Sequence, residues 1–308
     1  MKFLEKYPKL KGRALYFAGE SYSGHYIPNF AAYILKQKNP IINLKGLLIG
    51  NGAYDEYNQY KYMLPFAIHN GLLFPKKDKK LIAEIQENET ECLKNLKNAQ
   101  NEFKKIDLRN LTKDEMNLID HILEQCNSGI AHKILDDNPN VEGGKVHLYN
   151  ISKKCYTGNT MEGSEGLCYD YQDQYNFFAK EEIKKFFEMN GRKYVDCNTN
   201  VFDNMRYDIF DDSTSKFSEI LRSGVKITAY NGELDFICNW ESGLAAINGV
   251  KWEGQKEFQR AEVVNIGYGL KKRHKNLEFV KFFNSGHMVP QDQPELSMDL
   301  FIDHIFGN

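Results

Sequence analysis

Three side chains able to perform nucleophilic chemistry stand in glycine-bearing turns, each after an apolar run. They are Ser21 in Gly19-Glu-Ser-Tyr-Ser-Gly24, Asp235 in Asn231-Gly-Glu-Leu-Asp235 and His287 in Asn284-Ser-Gly-His287. A serine hydroxyl is a weak nucleophile at its own pKa and needs a base. The base in turn needs an acid that fixes its tautomer and stabilises the imidazolium. In this set Ser21 is the nucleophile, His287 the base and Asp235 the orienting acid. Glu233 competes with Asp235, and His25 with His287, but His25 lies beside the nucleophile and is poorly placed to reach an acid. Taken singly, each residue also has a plain structural reading: a helix-start serine, a turn or capping aspartate, a loop histidine.

The elements that must position these groups are legible from periodicity. Ala14 to Ala18 reads as a buried strand, and Ile27, Phe30, Ala31 and Ile34 recur at helical spacing after the break at Gly19 to Gly24. Strand, sharp turn and helix form an elbow that projects the Ser21 hydroxyl from the sheet edge, with the Tyr22 backbone N–H facing the same space as an oxyanion donor. Gly19 fits the usual elbow spacing, whereas Ser23 stands where a second glycine is expected and Gly24 follows one place later. Asn43 to Gly52 supplies a second strand, which makes a parallel crossover unit whose active edge lies at the C-terminal strand ends. Further strands are expected within Gly224 to Asp235 and Leu277 to Phe283, and a last helix from about Pro294 to Phe306. The chain order Ser, Asp, His is that of α/β-hydrolases. The expected fold class is therefore α/β, an α/β-hydrolase fold. Residues 1–55 and 213–308 form its core, and 56–212 form a large, mostly helical cap insertion rich in Lys, Glu and Asn. The run Lys76 to Lys80 reads as a solvated helix face.

Composition narrows the function classes. A chain of 308 residues with net charge −2 has no global pull toward nucleic acid or anionic membrane, and no stretch approaches the apolar length that spans a bilayer. No C-x-x-C or H-E-x-x-H spacing suggests a metal, and no cofactor motif is present. Sequons begin at Asn88, Asn110 and Asn150, and six cysteines are present, both of which point to an oxidising secretory compartment. The first residues nevertheless lack the apolar core of a signal peptide. A chain that begins partway through a longer parent would reconcile the two.

Gly19-Glu-Ser-Tyr-Ser-Gly-His-Tyr-Ile-Pro28, Ile49-Gly-Asn-Gly52, Asn231-Gly-Glu-Leu-Asp-Phe-Ile-Cys-Asn-Trp240 and Gly286-His-Met-Val-Pro-Gln-Asp-Gln-Pro294 together resemble the serine carboxypeptidases, the cathepsin A and carboxypeptidase Y group. The resemblance runs in register along nearly the whole chain. It implies hydrolysis of C-terminal peptide bonds through an acyl-enzyme at acidic pH, with peptide and protein C-termini as substrates. It also implies a lysosomal, vacuolar or secreted location, and it leaves a homodimer open. By position, Ser21, Asp235 and His287 match the family triad, and Glu20 matches the glutamate that recognises the terminal carboxylate. Such recognition works only if one of the two carboxyls holds a proton, which favours acid conditions. Tyr22, Ile237, Cys238 and Met288 resemble residues lining the substrate pockets. Cys92 with Cys126 and Cys155 with Cys168 resemble cap disulfides, and Cys238 the family's free thiol. Cys197 resembles a cysteine paired to a Gly-Gly-Pro-Gly-Cys loop that precedes the elbow in the family and is not found in these 308 residues. The resemblance thus leads to the expectation of a hydrolase core incomplete at its N-terminus, with impaired turnover. A triad-based acyltransferase and a non-catalytic hydrolase-like binding protein are the alternatives.

Overall fold

A computed structural model describes residues 2–37, 41–103, 110–140, 146–153, 171–195 and 198–307. After a short helix (Lys2–Lys6) and a 3-10 turn (Pro8–Leu10) come strand β1 (Ala14–Glu20), helix α1 (Ser23–Gln37) and strand β2 (Asn43–Gly50). Helices α2 (Glu56–Lys61), α3 (Lys79–Phe103), α4 (Lys113–Cys126) and α5 (Thr199–Met205) follow, and then α6 (Thr214–Arg222), β3 (Lys226–Gly232) and α7 (Trp240–Gly249). The chain closes with β4 (Val263–Asn265), β5 (Gly269–His274), β6 (Leu277–Phe282), α8 (Val289–Asp292) and α9 (Pro294–Phe306).

The strands form one sheet in the order β1-β2-β3-β6-β5-β4. The pairs β1/β2, β2/β3 and β3/β6 are parallel, so all four of these strands end at the same edge. The β4–β5 hairpin adds antiparallel pairing beyond β6.

Period-two alternation builds the two faces of the sheet. Leu47 and Ile49 of β2, Ile227 and Ala229 of β3 and Phe279 of β6 point one way, where α1, α6 and α7 cover them with Ile27, Ala31, Phe217, Ile220 and Ile247. Leu48, Tyr230, Val280 and Phe282 point the other way, against Val289 and Leu300 of α8 and α9. A separate helical core gathers residues from Tyr60 to Leu135 with Phe210 and Phe236. There α3 buries Ile85, Cys92 and Leu96 against Ile119, Ile122 and Cys126 of α4, joined by a Cys92–Cys126 disulfide.

Two expectations need correction. The first strand is not buried: β1 pairs with β2 alone among the described residues, and none of its positions is fully enclosed. An outermost strand has no neighbour on one side, so apolar composition alone cannot bury it. Phe30 of α1 is likewise exposed. Asn150 also departs from its expectation as a glycan acceptor. Its side chain is buried and its amide nitrogen donates to Asp292 Oδ2 at 3.1 Å, so the nitrogen that would carry a glycan is turned into the interior. Asn110 is exposed, and Asn88 is half-buried with its amide donating to the Gly129 carbonyl at 3.1 Å. Cys155, Cys168 and Cys197 lie outside the described residues.

Candidate active site

At the common edge of the parallel strands, the turn after β1 holds Ser21 with φ +79°, a left-handed backbone that non-glycine residues adopt at a cost of about 1–3 kcal/mol. Three backbone hydrogen bonds fix it there: Ser21 N–H to the Gly50 carbonyl, and the Gly24 and Ala53 N–H groups to the Ser21 carbonyl, each at 2.9 Å. The glycines are sterically required. A Cβ on Gly19 would stand 2.7 Å from Ser23 Cβ, and one on Gly24 would stand 2.4 Å from the Ala53 carbonyl oxygen. This explains the shifted spacing: the close approach to a neighbouring backbone falls at Gly24, so Ser23 is tolerated. The Tyr22 N–H has no hydrogen-bond partner among the described residues, which leaves it available to an oxyanion.

Asp235 and His287 meet in the interior, 0 % and 2 % exposed. His287 Nδ1 and Asp235 Oδ2 are 2.7 Å apart. The same carboxylate oxygen accepts from Asn51 Nδ2 at 2.7 Å, and Asp235 Oδ1 accepts from the Ile237 N–H at 3.2 Å. Asn51, at the end of β2, also accepts from the Gly232 N–H at 3.3 Å and so ties the ends of β2 and β3 to the acid. The His287 N–H donates to the Tyr149 carbonyl at 2.7 Å, and the Tyr149 ring stacks on the imidazole at 4.3 Å and 11°. Asp292 accepts from the Gly286 N–H at 2.7 Å, from Asn150 and from Lys153, fastening the histidine loop to the Tyr149 segment. Gly286 allows this contact, since a Cβ there would fall 2.3 Å from the Tyr149 carbonyl oxygen.

Ser21 Oγ makes no hydrogen bond to His287, so the candidate nucleophile and base share an edge without being engaged. Apo sites are often loose in this way. The charges acting on Glu20, adjacent to Ser21, show how close the groups lie. Burial pushes its carboxyl up to about 7, His287 pulls it down, and Asp235 and Asp292 raise it further. Burial opposes charge on His287, but the Asp235 charge, the hydrogen bond to it and Glu20 together raise its pKa above the ordinary imidazole value. A hydroxyl, an oriented imidazole and a carboxyl that keeps its proton near neutrality can together carry out acyl transfer on a substrate bearing a carboxylate.

The remaining expected positions divide. Cys238 is free and buried, and its sulfur, an Asp235 oxygen and a His287 nitrogen all lie within 4.8 Å of one another. Ile237 and Met288 flank the acid and the base in sequence and are half-buried. The Tyr22 ring turns toward the helices: it stacks on His25 at 4.9 Å, and its hydroxyl donates to Asp208 and to the Met205 carbonyl. Glu233 pairs with Lys281 at 3.1 Å and does not contact the histidine; His25 bonds Ser213 at 3.1 Å. Sequence reasoning assigned no role to Asn51, Tyr149 or Asp292. Asn51 and Asp292 had a visible signal, each a polar residue inside a quoted motif, while Tyr149 acts through contacts with no local signature.

Comparison with known proteins places the chain. It is 33% identical to Serine carboxypeptidase-like 47 of Arabidopsis thaliana, over 99% of this chain and 56% of that protein. It is 29% identical to Serine carboxypeptidase 3 of Triticum aestivum, over 97% of this chain and 55% of that protein. The chain thus spans about half the length of the curated relatives it matches. The solved structure of Kex1ΔP, a prohormone-processing carboxypeptidase from Saccharomyces cerevisiae, superimposes with a TM-score of 0.72 at 23% identity, covering 98% of this chain and 64% of that one, which establishes the α/β-hydrolase fold. The serine carboxypeptidase family model matches residues 1–307, and the chain belongs to that family.

Proposed function

We propose that this chain carries the acyl-transfer centre of a serine-type carboxypeptidase that removes the C-terminal residue of peptides. The observation that carries the reading is the relay Asn51–Asp235–His287 at the sheet edge where Ser21 sits strained in its elbow. Ser21 Oγ attacks the last peptide carbonyl while His287 takes its proton, and the Tyr22 N–H stabilises the oxyanion. His287 then protonates the leaving amino acid, and water attacks the acyl-serine with His287 again as base. Glu20, holding its proton up to about pH 7, donates a hydrogen bond to the substrate's terminal carboxylate. Ile237, Cys238 and Met288 supply pocket wall. Residues 56–212 act as the cap over this edge.

The Cys92–Cys126 bond suits an oxidising lysosomal, vacuolar or secreted setting. No described helix is long and apolar enough to cross a membrane. Turnover by these 308 residues is expected to be low, because the resemblance puts a second oxyanion donor in a loop that the sequence does not contain. Loss of one such donor costs about a hundred- to a thousand-fold.

The test pairs a covalent probe with a substrate comparison. An organophosphonate should label Ser21 and not Ser23, and slow release from a free peptide should exceed that from its C-terminal amide. An unlabelled Ser21, or indifference to the amide, would refute the reading.

A further inference from the structure

The neighbour of the candidate nucleophile is gripped by a segment to which the proposed mechanism gives no role. The peptide unit between Ser21 and Tyr22 is planar, so its carbonyl and its N–H point in opposite directions. The Ser21 carbonyl accepts from the Gly24 and Ala53 N–H groups, each at 2.9 Å, which aims the Tyr22 N–H at the active edge. The far end of the residue is fixed by its side chain. The Tyr22 hydroxyl reaches the Met205 carbonyl at 2.9 Å and the carboxyl of Asp208, 186 residues along the chain in the 3-10 turn Arg206–Phe210.

These contacts close on themselves. The Tyr22 ring stacks on His25 at 4.9 Å, and His25, 1 % exposed, bonds Ser213 Oγ at 3.1 Å. The Ser213 N–H donates to the Tyr54 carbonyl at 3.1 Å, and Ala53, next to Tyr54, donates to the Ser21 carbonyl. Tyr26, one turn further along α1, donates to Met205 Sδ at 3.6 Å. Residues 205–213 thus form the outer half of a frame whose inner half is the elbow. Asp208 has no cationic partner among the described residues, and Tyr22 is the side chain that its carboxyl meets. Either protonation state engages it. An ionised Asp208 accepts from the Tyr22 hydroxyl. A protonated one, favoured below about pH 6 by burial and the Asp211 charge, donates to the Tyr22 oxygen, whose own proton turns to the Met205 carbonyl.

We infer that Asp208 is a positioning residue for acyl transfer, holding through the Tyr22 hydroxyl the backbone N–H that faces the oxyanion; this rests on the carboxypeptidase reading of the site. Loss of a whole oxyanion donor costs about a hundred- to a thousand-fold. The backbone hydrogen bonds of the elbow survive when the side-chain grip is lost, so the donor is displaced rather than removed, and the cost should be about ten-fold.

A diphenyl aminoalkylphosphonate tests this on the intact 308-residue chain. Ser21 Oγ bonds to phosphorus, phenoxide leaves and His287 takes the hydroxyl proton, so mass spectrometry reads labelling without turnover while the phosphoryl oxygen takes the oxyanion position. Tyr22→Phe and Asp208→Ala should each lower the saturating labelling rate about ten-fold and leave the half-saturating probe concentration unchanged, a split that general loosening of the fold would not produce. Asp208→Asn, whose amide oxygen still accepts from Tyr22, should stay within about two-fold of the unsubstituted chain. Tyr22→Phe combined with Asp208→Ala should cost about ten-fold rather than about a hundred-fold, since both break one contact. Unchanged rates, an Asp208→Asn variant as slow as Asp208→Ala, or losses that multiply would overturn the inference. If Asp208→Ala does not fold, Tyr22→Phe and Asp208→Asn decide alone, the first expected slow and the second not. If the phosphonate does not label Ser21 in the unsubstituted chain, the carboxypeptidase reading itself fails and takes the inference with it, a result distinct from labelling that Tyr22→Phe leaves unaltered.

Discussion

Glu20 and His287 titrate against each other, since an ionised Glu20 raises the imidazole and a charged imidazole lowers the glutamate. In the proposed reading a substrate carboxylate accepts a hydrogen bond only from protonated Glu20, and the bound pair, sharing one proton, keeps a single negative charge beside His287. Two consequences are measurable. The KM for a free-carboxylate peptide should rise as pH passes about 7, where Glu20 loses its proton, and Glu20→Gln should abolish that rise. In the same variant the acid limb of Ser21 labelling should move to lower pH, because one charge raising His287 has gone; a limb that stays or moves upward refutes the coupling. Asp292 works at one remove, holding the Gly286 N–H and Asn150. Asp292→Ala should slow labelling about ten- to a hundred-fold by misplacing the imidazole, whereas Lys153→Met, which removes the part-exposed ion pair to Asp292, should change it about two-fold or less. Equal effects would mean that Asp292 matters only as the partner of Lys153. The positions of Ser21, Asp235 and His287 beyond strand ends were legible in the sequence because each follows its own strand within a local motif. The roles of Tyr149 and Asp292 were not, since they exist only where segments 142 residues apart converge, as at the Asn150–Asp292 bond.

Among the elements, α3 and α4 depend on contacts made far from the sheet. The Cys92–Cys126 link closes a separation of 34 residues, and both cysteines lie in the interior of the helical core. Restricting the unfolded chain over a loop of that length stabilises by about 4 kcal/mol on the chain-entropy account. Cys92→Ala with Cys126→Ala should therefore lower stability by about that amount, read as a shift in denaturation midpoint; a shift below about 1 kcal/mol would place the stability of this pair in packing alone. The apolar spacing of α3, the crossover β1-α1-β2 and the closing helix were all readable, because burial on one face imposes a period on the residues that make it. The β4–β5 hairpin was not. Lys271, Lys272 and Arg273 give β5 the composition of a solvated loop, yet it is a strand whose lysines lie along other elements, Lys272 over the Phe258 ring and Lys271 against Asp303. The lysine-rich run at 76–80 shows the converse: its lysines are exposed as expected, but Asp78 within it is buried and accepts from the Phe74 N–H and Asn140.

For the molecule as a whole, the buried titratable groups set a direction that net charge does not. Burial raises Glu20 to about 7 and Glu56 to about 8, and burial with the Asp211 charge raises Asp208 to about 6. In the folded state these acids hold protons that the unfolded chain has already released. Their contribution is complete below the ordinary carboxylate range and is lost as pH rises through the folded values. His25 and His304 behave oppositely. Burial holds both at about 4, so the unfolded chain binds protons that the folded one refuses, and stability falls as pH drops from 6.5 toward 4. Above 6.5 the histidines no longer contribute a slope, while Glu20 and Glu56 still do. The melting temperature should therefore be higher at about pH 5 than at about pH 8, and the combination Glu20→Gln with Glu56→Gln should flatten that decline. Replacing His25 and His304 should instead relieve the acid side and leave the alkaline decline in place. A melting temperature that rises from mildly acidic to mildly alkaline solution would contradict the burial of these carboxyls and, with it, the carboxylate recognition proposed for Glu20.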